Sequence, residues 1–510
     1  MVRFASAEQH EPRAGAAAAA ASAGRQLTTA QSNLESTLLM RLQSNAHKNV
    51  CDERLSIVRQ HGRFPKLAVV AILDDDLMSK SFAVEPAWRQ ALKSAGYYRT
   101  ASGITATFLL SKQQRLRKYG LGAVCEATQL FNQIPGQEQM CDKMSVIKLL
   151  RAASHRLHLN LDEFMLPTIL LAPPNRGGPS SSSNGAATDD DDDAFARFEQ
   201  QLTSSSSNNG DEGVAWVHKR LGVENSQGVT PYSWRGLREK RQALGPAGFK
   251  RALSPGLLQK YLREPLLVDG RKTDLRCYVL VASVRPFAAF FYSEFVARVS
   301  PVVYAPTATD ARAFTVGHFA KNKGASQGGK PQKLVNNTPD STQMSPERLA
   351  SALHSNGQLP QRMSALNWLE KSLRPELKRL TSRLLSAAEP SLSRRHGHFS
   401  LYGLDVLVDA RLRLWFNEMN FSPGLADAQS GRWKLSMQKE MLSGVVALEE
   451  EVLRSRAFGD AEGPLVKRLS RIARSNHTKW MPIAVSEVAN EDRIRWYHES
   501  EGGRTIGFPG

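Results

Sequence analysis

Gly403-Leu-Asp405-Val-Leu-Val-Asp409, followed by Leu414-Trp-Phe-Asn-Glu418-Met-Asn420-Phe-Ser-Pro423, reads as two apolar strands that each carry oxygen ligands. Glu418 and Asn420 lie two apart, so on a strand they point to the same face. Asp405 sits on the first strand, and Asp409 falls where that strand turns toward Arg411. Carboxylates gathered on an otherwise apolar sheet suit magnesium, a hard cation that prefers carboxylate and phosphate oxygens. The competing reading is an ordinary hairpin whose acids are solvated or cap turns. The remainder of the chain has to choose between them.

Working outward, 510 residues at 41% hydrophobic content suffice for a large core and two or three domains. No apolar run approaches the roughly 20 residues of a membrane helix. Cys51, Cys125, Cys141 and Cys277 are scattered without C-x-x-C spacing, which points to a reducing compartment and no structural zinc. The formal charge is +18, yet residues 175–213 hold eight acids, including Asp189 to Asp193, against two arginines; that local −6 leaves +24 for the remainder. Such a surface attracts a polyanion: nucleic acid, anionic lipid or an acidic protein tail. Nucleic acid is disfavoured because no recognisable binding module accompanies the charge.

Composition divides the chain. Residues 1–35 read as a disordered leader, where Glu8 and Glu11 interrupt the acid-poor pattern of a transit peptide. Residues 175–213, rich in serine and aspartate, read as a flexible insertion without a core, and Lys321 to Thr342 as a loop. Short apolar runs at Leu67–Leu73, Thr105–Leu110, Pro167–Leu171, Val214–Val217, Leu257–Tyr261, Leu275–Ala282 and Pro286–Tyr292 read as strands. Helical spacing fills Trp88–Ala95, Met144–Leu157 and Glu347–Ala388, the last broken near Gly357. This is the succession of an α+β or α/β enzyme with antiparallel sheets.

The middle of the chain supplies cations. Trp216-Val-His-Lys219 ends a strand in a lysine and precedes a glycine-containing loop, a weak form of phosphate cradle. Lys272, Asp274 and Arg276 alternate at the start of an apolar strand and so share one face, where they either pair among themselves or hold a triphosphate. Arg298 interrupts another apolar strand, as an edge ion pair or a ligand.

Trp216-Val-His-Lys219, Gln259-Lys260-Tyr261-Leu262, the run from Pro265 through Lys272-Thr-Asp274-Leu-Arg276, Phe295-Val-Ala-Arg298, Tyr402-Gly-Leu-Asp405 and Glu418-Met-Asn420-Phe-Ser-Pro423 resemble, in order and spacing, the motifs of the tubulin-tyrosine-ligase-like family. Asn132-Gln-Ile-Pro135-Gly and Asp142-Lys143 resemble the segment that opens its ligase region. The resemblance runs from Asn132 to Leu453 with the insertion removed. It implies an ATP-grasp fold, two α+β subdomains closing on ATP, preceded by a small α/β domain. The implied plan is a leader (1–35), an N-terminal α/β domain (50–130), a ligase domain (131–455) with the disordered insertion (175–213), and a basic C-terminal extension (456–510).

The resemblance also implies an activity: ATP-dependent addition of an amino acid to tubulin tails through an acyl phosphate, glutamate being favoured over tyrosine or glycine. By position, Lys219 would hold phosphate, Gln259, Lys260, Tyr261 and Leu262 would line the adenine, and Lys272 and Asp274 would reach the nucleotide. Arg276 would face the terminal phosphate, Arg298 would hold the carboxylate of the incoming amino acid, and Asp405, Glu418 and Asn420 would bind Mg2+. The implied partners are acidic tubulin tails on microtubules and a free amino acid, with no membrane, and the implied location is the cytoplasmic cytoskeleton, cilium and flagellum included. A non-catalytic tubulin-binding relative and a ligase for another acidic protein or small molecule are the alternatives. Two departures stand out. Val316 in Ala313-Phe-Thr-Val316 replaces the family's nucleotide-binding asparagine, and the loop after Asn420 is long before Lys434 and Lys439, either of which could serve the substrate. Leu465, Leu469 and Ile472 follow helical spacing among Lys467, Arg468, Arg471 and Arg474, which makes that segment either a contact for acidic tails or a helix packed on the core.

Overall fold

Three sheets organise the computed structural model, which describes residues 50–71, 84–100, 105–111, 124–171, 189–204, 213–221, 228–305, 342–425, 432–459, 462–474 and 478–483. The 1–35 leader, the Val316 motif, most of the loop after Lys219 and nearly all of Lys321–Thr342 lie outside these residues.

The first sheet is parallel, in the order β2-β1-β3-β4, with β1 at Leu67–Ala71, β2 at Tyr98–Arg99, β3 at Phe108–Ser111 and β4 at Leu130–Phe131. Helices α1 (Val50–His61) and α2 (Val84–Ser94) accompany it. Arg54 of α1 is fully buried and donates to Thr128 and to the Ala106 carbonyl, and burial pushes its pKa down to about 9. A disulfide joins Cys51 to Cys125, whose Cα atoms lie 5.1 Å apart, so the expectation of unpaired thiols fails for these two. Their 74-residue separation hides the pairing from any local motif. Cys141 and Cys277 are free thiols.

The second sheet is antiparallel, in the order β5-β8-β6-β7, built from β5 (Thr168–Leu171), β6 (Val214–Arg220), β7 (Val229–Ser233) and β8 (Gly256–Lys260). Helix α3 (Lys143–Arg156) precedes it and is capped by Asp142, which accepts from the Met144 and Ser145 amides. Helix α4 occupies Asp189–Ser204 and α5 spans Trp234–Leu253. A structureless insertion over 175–213 is therefore wrong for its middle. Phe195, Phe198 and Leu202 of α4 are buried against Trp216, Leu237 and Phe249. Acids of the same helix pair with cations of neighbouring elements: buried Asp191 with Arg151, Asp192 with Lys250 at 2.7 Å, and Glu199 with Arg241 at 2.8 Å. The serine and aspartate content masks three apolar residues at helical spacing, enough to seat one turn after another on the sheet.

The third sheet surrounds a long central strand. It comprises β9 (Leu267–Val268), β10 (Arg271–Val284), β11 (Phe287–Tyr292), β12 (Val296–Val299), β13 (Gln343–Met344), β14 (Ser400–Val408), β15 (Leu414–Phe421) and β16 (Trp480–Ile483). Strand β10 pairs antiparallel with β12 and then β11 along one edge, and with β14 along the other. Leu275, Cys277, Val279 and Val281 face a core shared with α3, α6 (Pro346–Ser355) and α7 (Arg374–Ala388). Tyr278, Leu280 and Ala282 face a second core shared with α8 (Arg432–Phe458) and α9 (Glu462–Arg474). With both faces covered, β10 reads as an apolar run once past its charged start.

Two expected boundaries cut through elements. The one at 130/131 falls inside β4, and the one at 455/456 falls inside α8. The described residues beyond 456 are no appendage: Leu465 and Leu469 of α9 are buried, Arg468 pairs with Glu451 of α8, and β16 adds an antiparallel edge to β11. Lys467, Arg471 and Arg474 lie exposed along α9, so that helix both packs on the core and displays cations. Among the described residues no helix is long and apolar enough to cross a membrane. Mixed helices and sheets agree with the α+β class.

Phe198, at 3% exposure, tests the standing of α4. Phe198→Ala lowers unfolding stability in urea by about 3–5 kcal/mol, the cost of a large core cavity; a change within about 0.5 kcal/mol is the behaviour of a solvated insertion.

Candidate functional site

The charged start of β10 sets the site. Lys272, Asp274 and Arg276 share the face that further along carries Tyr278 and Leu280. Register places Asp274 opposite Arg298 of β12 and Arg276 opposite Asp405 of β14. Both pairs are two-pronged: Arg298 donates to the two Asp274 oxygens at 2.6 and 2.8 Å, and Arg276 donates to both oxygens of Asp405, the second at 2.9 Å. Arg298 also reaches Asp405 at 3.2 Å, linking the four residues. Side-chain exposures of 15% for each arginine and 3–6% for the aspartates mean that each charge depends on its partners.

Desolvation works against every ion here, and the balance differs between the two aspartates. At Asp405 the burial penalty is overcome by Arg276 and Arg298, which hold the carboxyl down at about 2. At Asp274 burial prevails over Arg298 and raises the pKa. Burial also opposes the charge on Arg298, but Asp274 and Asp405 together raise its pKa.

The opening hairpin approaches from the other side. Asp405 pairs with Glu418, whereas the next residue, Val406, pairs with Phe416, so β15 carries a bulge at Asn417. Phe416 and Met419 both reach the apolar core, with two residues between them where β14 has only Asp405 between Leu404 and Val406. Glu418 lies within hydrogen-bonding reach of Asp405, and the Asn420 amide donates to Glu418 at 3.2 Å. Gly403 sits opposite Asn420, where a Cβ would meet Pro423 at 2.8 Å and the Arg276 side chain at 3.3 Å; glycine lets that arginine lie across the strand. Asp409 is not part of the cluster. It accepts from the Arg411 and Arg413 amides and the Trp415 indole and is committed to the turn.

The second sheet brings Lys219. From the end of β6 its ammonium donates to Asn417 at 2.9 Å, and burial lowers its pKa to about 8 despite the attraction of Glu418. Lys272 is similarly lowered to about 8 by burial, with Asp274 opposing; it lies 4.8 Å from the Tyr261 ring centroid and 3.4 Å from its hydroxyl. Where β8 ends and the chain crosses toward the third sheet, the Lys260 and Tyr261 amides bond the Pro167 and Ala215 carbonyls, and Gln259 donates to Thr168 at 2.9 Å. Lys260 is exposed and Leu262 half-buried. Lys434 lies in the first turn of α8 and Lys439 is exposed farther along it.

A small recess opens between the two sheets, lined by Lys143, Lys219, Leu257, Gln259, Asn417 and Glu418, with Ile147 and Met419 among its apolar walls. Lys219, Lys272, Arg276 and Arg298 oppose Asp274, Asp405 and Glu418, a local excess of positive charge suited to an anion. Among the described residues no group of three or more His, Cys, Asp and Glu gathers as metal ligands. Two carboxylates and an amide still fit magnesium, which keeps part of its shell for water and phosphate oxygens; Asp405, Glu418 and Asn420 supply that donor set. The structure thus brings together Lys219, Lys272, Asp274, Arg276, Arg298, Asp405, Glu418 and Asn420. Asn417 escaped the sequence reading because strict alternation puts it on the face away from Glu418; only the bulge turns it inward.

The matching sequence family is described as "Tubulin-tyrosine ligase family", over residues 237–455. Those residues form a tubulin-tyrosine ligase family domain. The matched residues include Gln259, Lys272, Asp274, Arg276, Arg298, Asp405, Asn417, Glu418 and Asn420, whereas Lys143 and Lys219 precede them. Relatives include human "Inactive polyglycylase TTLL10", 30% identical over 216 residues, which are 42% of this chain and 30% of that protein. Caenorhabditis elegans "Tubulin polyglutamylase ttll-5" is 31% identical over 34% of this chain and 24% of its own length. Danio rerio "Tubulin monoglycylase TTLL3" is 30% identical over 34% of this chain and 21% of its own length. The chain therefore matches less than a third of the length of these relatives.

Replacing Asp405 tests the charge network. Its folded pKa of about 2 lies below the roughly 3.9 of an unfolded aspartate, so its stabilisation is complete above about pH 4 and is lost as pH falls toward 2. Asp405→Asn costs about 3–5 kcal/mol at pH 7 in a denaturant titration, by leaving buried arginines without their partner, and it flattens the acid loss below pH 4. Wild-type stability at neutral pH would mean that the pairs do not form.

Proposed function

We propose that this chain is an ATP- and magnesium-dependent ligase of the ATP-grasp type, which joins an amino acid to an acidic tubulin tail. The observation that carries this reading is the meeting of two carboxylates and an amide with two lysines and two arginines between two antiparallel sheets, beside a recess that Lys219 and Glu418 line. Membership of residues 237–455 in the ligase family, and the tubulin modifications in its relatives' names, support it.

Each residue has a task suited to its chemistry. Lys219 and Lys272 hold phosphate oxygens; their lowered pKa values near 8 mean that bound phosphate would strengthen their protonation. Gln259, Lys260, Tyr261 and Leu262 border the adenine. Asp274 holds Arg298 in place, and the Arg298 fork is suited to the carboxylate of the incoming amino acid. Arg276, held by Asp405, would face the terminal phosphate, and Asp405, Glu418 and Asn420 would hold Mg2+. When bound, the magnesium nucleotide would supply the phosphoryl group that converts the acceptor carboxylate to an acyl phosphate with release of ADP; the incoming amine then attacks the acyl carbon and inorganic phosphate leaves. Charge stabilisation and positioning are the chain's contribution, as is general in phosphoryl transfer.

Glutamate is the proposed amino acid, with an acidic tail drawn in by the +18 chain. Glycine is the second reading, favoured by the polyglycylase and monoglycylase relatives. The site of action in either case is wherever microtubules present their tails. Purified protein with ATP, Mg2+ and tubulin, offered each of the twenty amino acids in labelled form, incorporates glutamate, and Glu418→Gln abolishes incorporation while the protein stays folded by circular dichroism. Glycine incorporation alone selects the second reading; microtubule pelleting with no incorporation of any amino acid selects a binding protein.

A further inference from the structure

The geometry points to Asn417 as a positioning residue, whose side-chain oxygen holds the Lys219 ammonium across the gap between the second and third sheets until a phosphate takes that place. This deepens the nucleotide reading above and rests on it for the second half of the statement. The first half stands on geometry alone. The bulge at Asn417 adds one residue to β15, and the added side chain is the one that accepts from Lys219 at 2.9 Å. An ammonium can only donate, so the carbonyl end of the amide must face it.

A neutral acceptor matters because of what else surrounds the lysine. Glu418 of β15 and Asp405 of β14 attract its charge, while Lys143 of α3 repels it, and Lys272 of β10 feels its repulsion. Drawn onto Glu418, the ammonium would tie up one of the carboxylates suited to magnesium. Held by Asn417, its charge is not offset by the group that holds it, and Glu418 is left to Asn420 and a cation. A carboxylate in place of Asn417 would hold the lysine as well but offset the charge a phosphate needs. An amide is the acceptor that positions without neutralising.

The test reads Lys219 directly. Reductive methylation at pH 8, followed by peptide mass spectrometry, gives its rate relative to exposed Lys467. In Asn417→Leu, which removes the acceptor, Lys219 methylation rises several-fold. In Asn417→Asp, which strengthens the hold on the ammonium, it falls several-fold. A merely structural role for the bulge would move both variants in the same direction, and that result, or no change in either, overturns the proposal. Asn417→Ser shortens the acceptor without adding bulk, gives the same rise, and replaces the leucine variant should that fail to fold. Added MgATP protects Lys219 in the wild type. Opposite shifts in the variants without MgATP protection uphold the hold on the lysine and overturn its exchange for phosphate, and with it the nucleotide reading.

Discussion

Two arginines and two aspartates on adjacent strands, Arg276 with Asp405 and Arg298 with Asp274, form the constraint around which the site is built. Burying four charges on a sheet is costly unless each finds its partner with good geometry. The register of β10 against β12 and β14 provides that geometry, since each arginine lies directly across from its aspartate. A one-residue slip on either edge would send every partner to the opposite face. The same pairing that makes the charges tolerable therefore also fixes where Lys272, Glu418 and Asn420 stand.

The second sheet depends on this arrangement through Lys219, which crosses to Asn417, and through the segment from Gln259 to Leu262, which joins the sheets and leads back to Lys272 beneath Tyr261. A cluster with more cations than acids is poorly suited to a dry core and well suited to an anionic ligand. Elsewhere, α4 pairs Asp191, Asp192 and Glu199 with neighbouring cations. Lys467, Arg471 and Arg474 lie exposed along α9, a basic face suited to an acidic partner.

Much of this was legible in the sequence because strand periodicity is rigid. Alternation put Lys272, Asp274 and Arg276 on one face, and the structure keeps them there; the turn at Asp409 likewise separated that residue from Asp405. The bulge was not legible, because one extra residue in a strand leaves no compositional trace, and Asn417 went unnoticed with it. The helix α4 was hidden by its serines and aspartates, though Phe195, Phe198 and Leu202 carried the signal. Neither the Cys51–Cys125 bond nor the pairing of β16 with β11 could be read locally, since each depends on chain segments brought together by the rest of the fold.

The central claim is that the cluster is a magnesium-nucleotide site, and equilibrium binding of ATP to the whole chain, with Mg2+ and with EDTA, tests it most directly. The account predicts saturable binding that tightens at least about tenfold when Mg2+ is present, because Asp405, Glu418 and Asn420 hold the cation against the phosphates. Binding of equal strength with and without Mg2+, or none at all, would contradict it.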